Sequence, residues 1–473
     1  MLADLLRADF DPGQLVLDPE ALREFADDVT EAHPQVPAAV VYPRVVPEVQ
    51  RLVTLARENG FGLCPRVANQ NVGGIAIPAP GAVVVDMSRM NRVHEVSETD
   101  MYAVIEPGVT QQEMKDYLES HAPSCRIGYT LAPPDTSVAA NCILDGLTNY
   151  SLRCGSMSEC ILGLEAVMHD GSILRTGAWA VGPIPYGKPP MPDLSGLFVS
   201  WQGTTGIVTK ISLALWPQPK FRERMFVLSH DCWGSFEVMR QISRFQVCDD
   251  MGVLSWPTGR MMMGVERPDP VKAEGEYAFF TYLDVCAQFP DEFAWRSRQA
   301  RQIVAEIGKG KHWFSKPLKL GDLTTAMPQV AKFQEFPTDL EFLTQTEGGG
   351  LSWMGSYGPL STIHDFCTEG MECMVRHGFP PSIVARAMKG GHFSVLRFIE
   401  VFKKGEEEEA VAALNLELFK MGLKYGFVQY KPPVRVVPHM LERMDPAHKS
   451  LMNKVKQLMD PDGIFNPGKL GFE

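Results

Sequence analysis

The sequence predicts an α+β protein in two parts, the chain ends building one domain and the middle another. Strand-like and helix-like runs succeed each other as far as Pro219, the character of the chain changes beyond it, and a helix with a Pro/Gly-rich tail closes the sequence. At 473 residues the chain is too long for one ordinary core, and a hydrophobic content of 45% is normal for a soluble globular protein. The expected division is 1–219, 220–425 and 426–473, with the first and last segments sharing a domain.

Taken in order, "AAVVYPRVVPEVQRLVTLARENGFGLCPRV" reads as strand, helix and strand. Pro47 suits the first position of a helix, Val49, Leu52, Val53 and Ala56 make one apolar face, and Gly60 fits the position just past the end. The polar run "VANQNVGG", residues 67–74, follows with no helix behind it. Its pair Gly73 and Gly74 permits positive φ and close approach of backbone N–H groups to an anion. "GAVVVDMS", "RVHEVS" and "YAVIEPGV" are short β runs, and Thr110 with Glu113 has capping-box spacing for a helix over "TQQEMKDYLESH". "ECILGLEAVMHDGSILRTG" is a hairpin turning at Asp170–Gly171, and "GLFVSWQGTTGIVTKISLALWPQP" is rich in strand. In the middle, "FVLSH", "EYAFFTYLDV" and "HFSVLRFIEVF" are strands between amphipathic stretches such as "DEFAWRSRQARQIVAEIG", an α/β pattern. Glu406 to Glu409 are expected in an exposed first helical turn, where acids suit the dipole, and Asp445 with Pro446 opens the last helix.

Charge and cysteine usage narrow the function. With 45 basic against 57 acidic residues the net charge is −12, which argues against a nucleic-acid surface or a polybasic membrane patch. No apolar run is long enough to span a bilayer, and the start has no basic segment leading into an apolar one, so a cytoplasmic location is expected. The ten cysteines include no C-x-x-C pair, which leaves zinc or iron–sulfur ligation unsupported and fits reduced thiols.

Five segments in order, the "AAVVYPRVV…GFGLCPR" unit with its Gly-pair loop, "GAVVVDMSRMNRVHEVSETDMYAVIEPGVTQQEMKDYL", "GLEAVMHDGSILRTG", "GLFVSWQGTTGIVTKISLALWPQP" and the terminal "DPDGIFNPGKLG", resemble the FAD-linked oxidoreductases of the vanillyl-alcohol oxidase and p-cresol methylhydroxylase (PCMH) family. The resemblance implies a two-part, PCMH-type FAD-binding domain made from the chain ends, with an inserted α/β cap domain over the flavin. By that similarity Asn69, Gln70, Asn71, Val72, Gly73 and Gly74 cradle the pyrophosphate. Pro134, Asp135, Thr136, Ser137 and Asn141 neighbour the cofactor, as do Gly203, Gly206, Ile207 and Val208, and His392 is the candidate for a covalent flavin link. Relatives carry more glycine in the loop, where this chain has Val67 and Asn71.

The resemblance also implies the chemistry. In aryl-alcohol members a para-hydroxyl is held as phenolate, hydride leaves for flavin N5, and water adds to the resulting quinone methide. Tyr430 and Lys431 match the Tyr-Arg pair that binds the phenolic oxygen, with Lys in place of Arg, and Val72 stands where a second phenol-binding Tyr is expected. Asp145 falls where relatives carry an acid/base near N5. The leading expectation is an FAD-dependent oxidase or dehydrogenase acting on an alkylphenol, a benzylic or a related cyclic alcohol. The alternatives are a 2-hydroxy-acid dehydrogenase of lactate or glycolate type, whose relatives usually show an H-x-G-D-G-N-like metal motif absent here, and a non-catalytic or electron-relay subunit. Oxygen, a cytochrome subunit or an iron–sulfur partner could each take the electrons, a cytochrome partner implying export with that subunit. Family members are frequently dimers or larger.

Overall fold

A computed structural model describes residues 2–70, 73–338 and 348–472; the loop positions Asn71 and Val72 lie outside the described residues. Near the N-terminus, strands Ala39–Val41, Val83–Asp86 and Leu63–Arg66 run parallel, with Leu15–Val16 antiparallel at the edge. Helix Val46–Asn59 supplies the crossover, opening with Pro47 in its first turn and stopping at Gly60, whose φ of 68° is left-handed. Val49, Leu52, Val53 and Ala56 are all buried against this sheet. The chain's end returns to it: Phe465 bridges Leu63 in parallel, and Lys469 Nζ donates to the carbonyls of Gly74 and Ile77 at 2.8 Å each.

A second, antiparallel sheet has the order Val93–Ser97, Tyr102–Ile105, Ile207–Ala214, Ile161–Val167 and Ile173–Arg175. The last two strands form the hairpin across Asp170–Gly171, and the Thr110–Glu113 capping box starts helix Gln111–His121.

The middle of the chain forms an eight-stranded antiparallel sheet with Leu318–Lys319 at one edge and Val428–Gln429 at the other, the latter strand lying beyond the expected boundary at 425. Helices Cys232–Phe245, Pro290–Ile307, Ile363–Arg376 and Glu408–Lys424 bury their apolar sides on one face of it, together with Val253, Ile383, Ala385, Leu396 and Phe398. Strand side chains alternate between faces, so Val384, Arg386 and Arg397 emerge on the other. The glutamate run behaves differently from expectation at its start. Its helix begins at Glu408, and Glu407 instead accepts two hydrogen bonds from the Arg267 guanidinium at 2.9 and 3.0 Å.

Candidate active site

The face of the middle sheet away from its helices looks across a cavity toward the two N-terminal sheets and the returning end of the chain. On that side the lining comes from residues 65–70, Ile75 and Ala76, from Thr130–Ala132, from helix Val138–Ile143 with its cap Ser137, from the turn at Gln202–Val208, and from Asn466. The middle sheet contributes Trp353, Val384, Arg386 and Arg397, and Lys431 closes the rim.

Buried polar atoms normally have partners, and those that lack one mark a place for a ligand or ordered water. Seven lining residues carry such atoms: Arg66 (Nε and Nη1), Asn69 Oδ1, Gln70 Oε1, Thr130 Oγ1, Asn141 Nδ2, Gln202 Oε1 and Asn466 Oδ1. Arg66 is only loosely neutralised, its Nε lying 3.6 Å from Asp86. Alongside these groups run Ile75, Leu131, Phe198, Ile207 and Val208. Such a mixture of apolar wall and unpaired donors and acceptors fits a large, partly aromatic, anionic cofactor such as FAD.

Of the residues expected from sequence, Asn69, Gln70, Thr136, Ser137, Asn141, Gly203, Gly206, Ile207 and Val208 line this cavity. Gly73, Gly74, Pro134, Asp135 and His392 do not. The glycine pair is engaged elsewhere: Gly74 N–H donates to Asp28 Oδ2 at 3.1 Å, Gly73 O accepts from Val434 N at 3.0 Å, and a Cβ on Gly73 would meet Pro433 Cα at 3.2 Å. Its small size therefore seats the returning C-terminal segment. Asp135 accepts from Gln70 Nε2 at 2.8 Å and so orients a lining residue. His392 is exposed, its backbone N–H bonded to Lys389 O.

Gly203 illustrates how tightly the turn is built. Its φ is 74°, and a Cβ there would sit 2.9 Å from Pro65 Cγ. Gly203→Ala is expected to lose about 1–3 kcal/mol of stability through left-handed strain and this clash, and to weaken cofactor retention; thermal unfolding with and without added FAD checks it.

Toward the middle sheet the cavity becomes cationic, and the expected site residue Tyr430 lies buried behind that part of the lining rather than in it. Arg397 Nε donates to Tyr430 Oη at 2.6 Å, and the Tyr430 ring stacks on Tyr357 with centroids 4.5 Å apart. Gly355 makes room for that ring, since a Cβ there would lie 2.6 Å from Tyr430 Cε1. Burial raises the Tyr430 phenol above its usual range, opposed by the Arg397 charge. Lys431, at φ 49°, lines the cavity, and burial with help from Arg397 pushes its ammonium down to about 7 against the opposing pull of Asp145. Among the described residues no acceptor lies within hydrogen-bonding distance of Lys431 Nζ. Arg386 is anchored by Thr148 O at 2.8 Å and by Asp250 at 3.4 Å. The described lining thus holds four cationic side chains, Arg66, Arg386, Arg397 and Lys431, and no carboxylate.

Asp145 sits beside this cluster without entering the cavity lining. At φ 54° it turns its carboxylate onto the hydroxyls of Ser156 and Ser158, while its carbonyl accepts from Tyr357 Oη at 2.8 Å. It therefore fixes the stacked tyrosines and biases the charge on Lys431. Sequence reading missed Arg66, Gln202, Asn466, Trp353, Arg386 and Arg397. The two cap arginines carried a signal, a single cation at an alternate position within the otherwise apolar runs "IVARAM" and "FSVLRFI".

Comparison with known proteins bears on the same regions. Residues 37–177 match the FAD binding domain family and residues 356–470 the family of FAD linked oxidases, C-terminal domain. The chain is 29% identical over 466 residues to the glycolate oxidase subunit GlcD of Bacillus subtilis, covering 94% of this chain and 91% of that one. It is 24% identical to the 4-cresol dehydrogenase [hydroxylating] flavoprotein subunit of Pseudomonas putida, covering 92% and 88%. The crystal structure of p-cresol methylhydroxylase with substrate bound superposes with a TM-score of 0.85 over 99% of this chain and 96% of that chain, at 18% identity, a likeness of fold.

Proposed function

Because this chain belongs to the FAD-linked oxidoreductases with a PCMH-type flavin domain, we propose that it oxidises an alkylphenol or benzylic alcohol whose phenolic oxygen is held as an anion by Tyr430, Arg397 and Lys431. The observation that carries this reading is the 2.6 Å bond from Arg397 Nε to Tyr430 Oη, with Lys431 lining the cavity beside it, its Nζ 5.9 Å from the Tyr430 ring centroid. A phenol donor backed by one cation and adjoined by another stabilises a buried oxyanion and lowers the proton affinity of the group bound there. Bound FAD supplies the hydride acceptor, so the protein's share is to orient the carbon and manage charge. Residues 66–70, Asn141, Gln202 and Asn466 would hold the cofactor, and Leu144, Leu147, Val384 and Trp353 would exclude water around the substrate. Above neutrality Lys431 takes the phenol's proton on binding and keeps it as the counter-ion of the phenolate. An electron-acceptor subunit belongs to this reading, since the similar Pseudomonas putida chain is named a flavoprotein subunit. Among the described residues no helix is long and apolar enough to cross a membrane.

Similarity to a glycolate oxidase subunit over 94% of the chain favours a second reading, in which the same cations hold the carboxylate of a 2-hydroxy acid. Supporting the first over the second, none of the described lining residues is His, Cys, Asp or Glu, so the cavity offers no ligand set for a metal beside a hydroxy acid. Anaerobic mixing of the holoenzyme with para-hydroxybenzylic, non-phenolic cyclic and 2-hydroxy-acid substrates tests both. Bleaching of the flavin absorption by the phenolic compounds alone is the expected result, and bleaching by the hydroxy acids alone would overturn it.

The cavity lining also lacks Tyr among its described residues, and His392 is exposed, so the flavin is expected to be dissociable. Precipitation with trichloroacetic acid should leave a colourless pellet and a yellow supernatant; a yellow pellet would show a covalent link.

A further inference from the structure

On the opposite side of the middle sheet from the flavin cavity, Cys373 in helix Ile363–Arg376 and His377 at its end lie one turn apart. Side chains at that spacing rise from one helical face. Glu417 reaches the same place from helix Glu408–Lys424, and a sulfur, an imidazole nitrogen and a carboxylate oxygen all lie within 4.8 Å of one another. Cys373 is fully buried, while the His377 and Glu417 side chains keep 25% and 43% exposure, so the trio opens to solvent on one side. His377 Nε2 stands 2.9 Å from Glu417 Oε2, and Arg376 Nη2 holds Oε1 at 2.6 Å.

We propose that Cys373, His377 and Glu417 form a transition-metal site of the zinc class on the outer helical layer of the cap. Thiolate and imidazole donors select a borderline-soft dication over magnesium or calcium, which prefer oxygen alone. Three protein ligands leave the fourth tetrahedral position to water or an added anion, and that position is where the trio is open. Thiolate and carboxylate together balance the dication, the thiol giving its proton to solvent as the metal binds. Arg376 orients the ligating carboxylate through the oxygen that does not face the metal, the kind of outer contact that fixes metal ligands. Tetrahedral donors sit roughly 3.5 Å apart, so the 2.9 Å His377–Glu417 contact opens slightly on metal binding through rotation of the half-exposed Glu417 side chain. None of the three lines the flavin cavity, and a metal here ties together two cap helices.

Cobalt titration of the chelator-treated, flavin-loaded protein tests the site. One equivalent should produce ligand-field bands to the red of the flavin absorption and a thiolate charge-transfer band, both abolished by zinc. His377→Gln and Glu417→Gln, at half-exposed positions, should each weaken cobalt binding at least about tenfold. Zinc should raise the unfolding temperature of the parent protein and raise that of both variants less at the same concentration. Absence of a saturable band, or a band of full strength in both variants, would overturn the proposal.

Discussion

Arg397→Gln should slow anaerobic flavin reduction by about 10²- to 10³-fold while leaving FAD stoichiometrically bound. The size follows from what the guanidinium does: it is the charged donor behind Tyr430 Oη at 2.6 Å, and its residue lines the cavity. An amide can still offer Tyr430 a hydrogen bond, so the tyrosine stays in place on Tyr357; what disappears is the charge that stabilises an anion bound there. Arg397→Lys restores the charge without the planar fork and should recover only part of the rate. Reduction within threefold of the parent rate in Arg397→Gln would remove this residue from the reaction. The cofactor readout separates the outcomes, because the residues proposed to hold FAD are on the other wall of the cavity.

How much of this was legible beforehand depends on whether the signal was local. Pro47 with Gly60, Thr110 with Glu113 and Asp170–Gly171 each encode an element end within a few residues, and each stands where the sequence places it. Contacts made between distant segments were not legible in this way. Gly73 and Gly74 read as free anion-binding donors, yet Asp28 lies 46 positions from Gly74 in sequence, and its claim on that N–H has no local trace. Arg397 and Tyr430 are 33 positions apart and meet only because strands Gly349–Gly358 and Phe393–Lys403 pair with Gly355 opposite Arg397, clearing space for the tyrosine ring. The strand alternation that turns Arg386 and Arg397 away from the helices was present in the sequence; which face would meet the flavin domain was not.

The pH profile of kcat/KM should decide between the two substrate classes through Lys431 alone. Its ammonium is pushed down to about 7, so the free enzyme carries this cation below neutrality and loses it above. A phenol is neutral in solution up to ~10, and a productive complex of phenolate with charged Lys431 contains the same number of protons as neutral Lys431 plus neutral phenol. Below pH 7 the enzyme must therefore release a proton to bind productively, and kcat/KM should rise about tenfold per pH unit until roughly pH 7, then level off. A 2-hydroxy acid arrives already ionised, so its complex needs the charged lysine, and kcat/KM should be flat below pH 7 and fall about tenfold per unit above it. Lys431→Arg, charged throughout, should extend the rising limb to the phenol's own ionisation in the first case and remove the falling limb in the second. Asp145→Asn sharpens the assignment, because the Asp145 charge holds the Lys431 ammonium up and its loss should move the limb to lower pH. A profile unchanged by both substitutions would show that the cation at the phenol site is not Lys431, and would leave Arg397 to hold the substrate anion by itself.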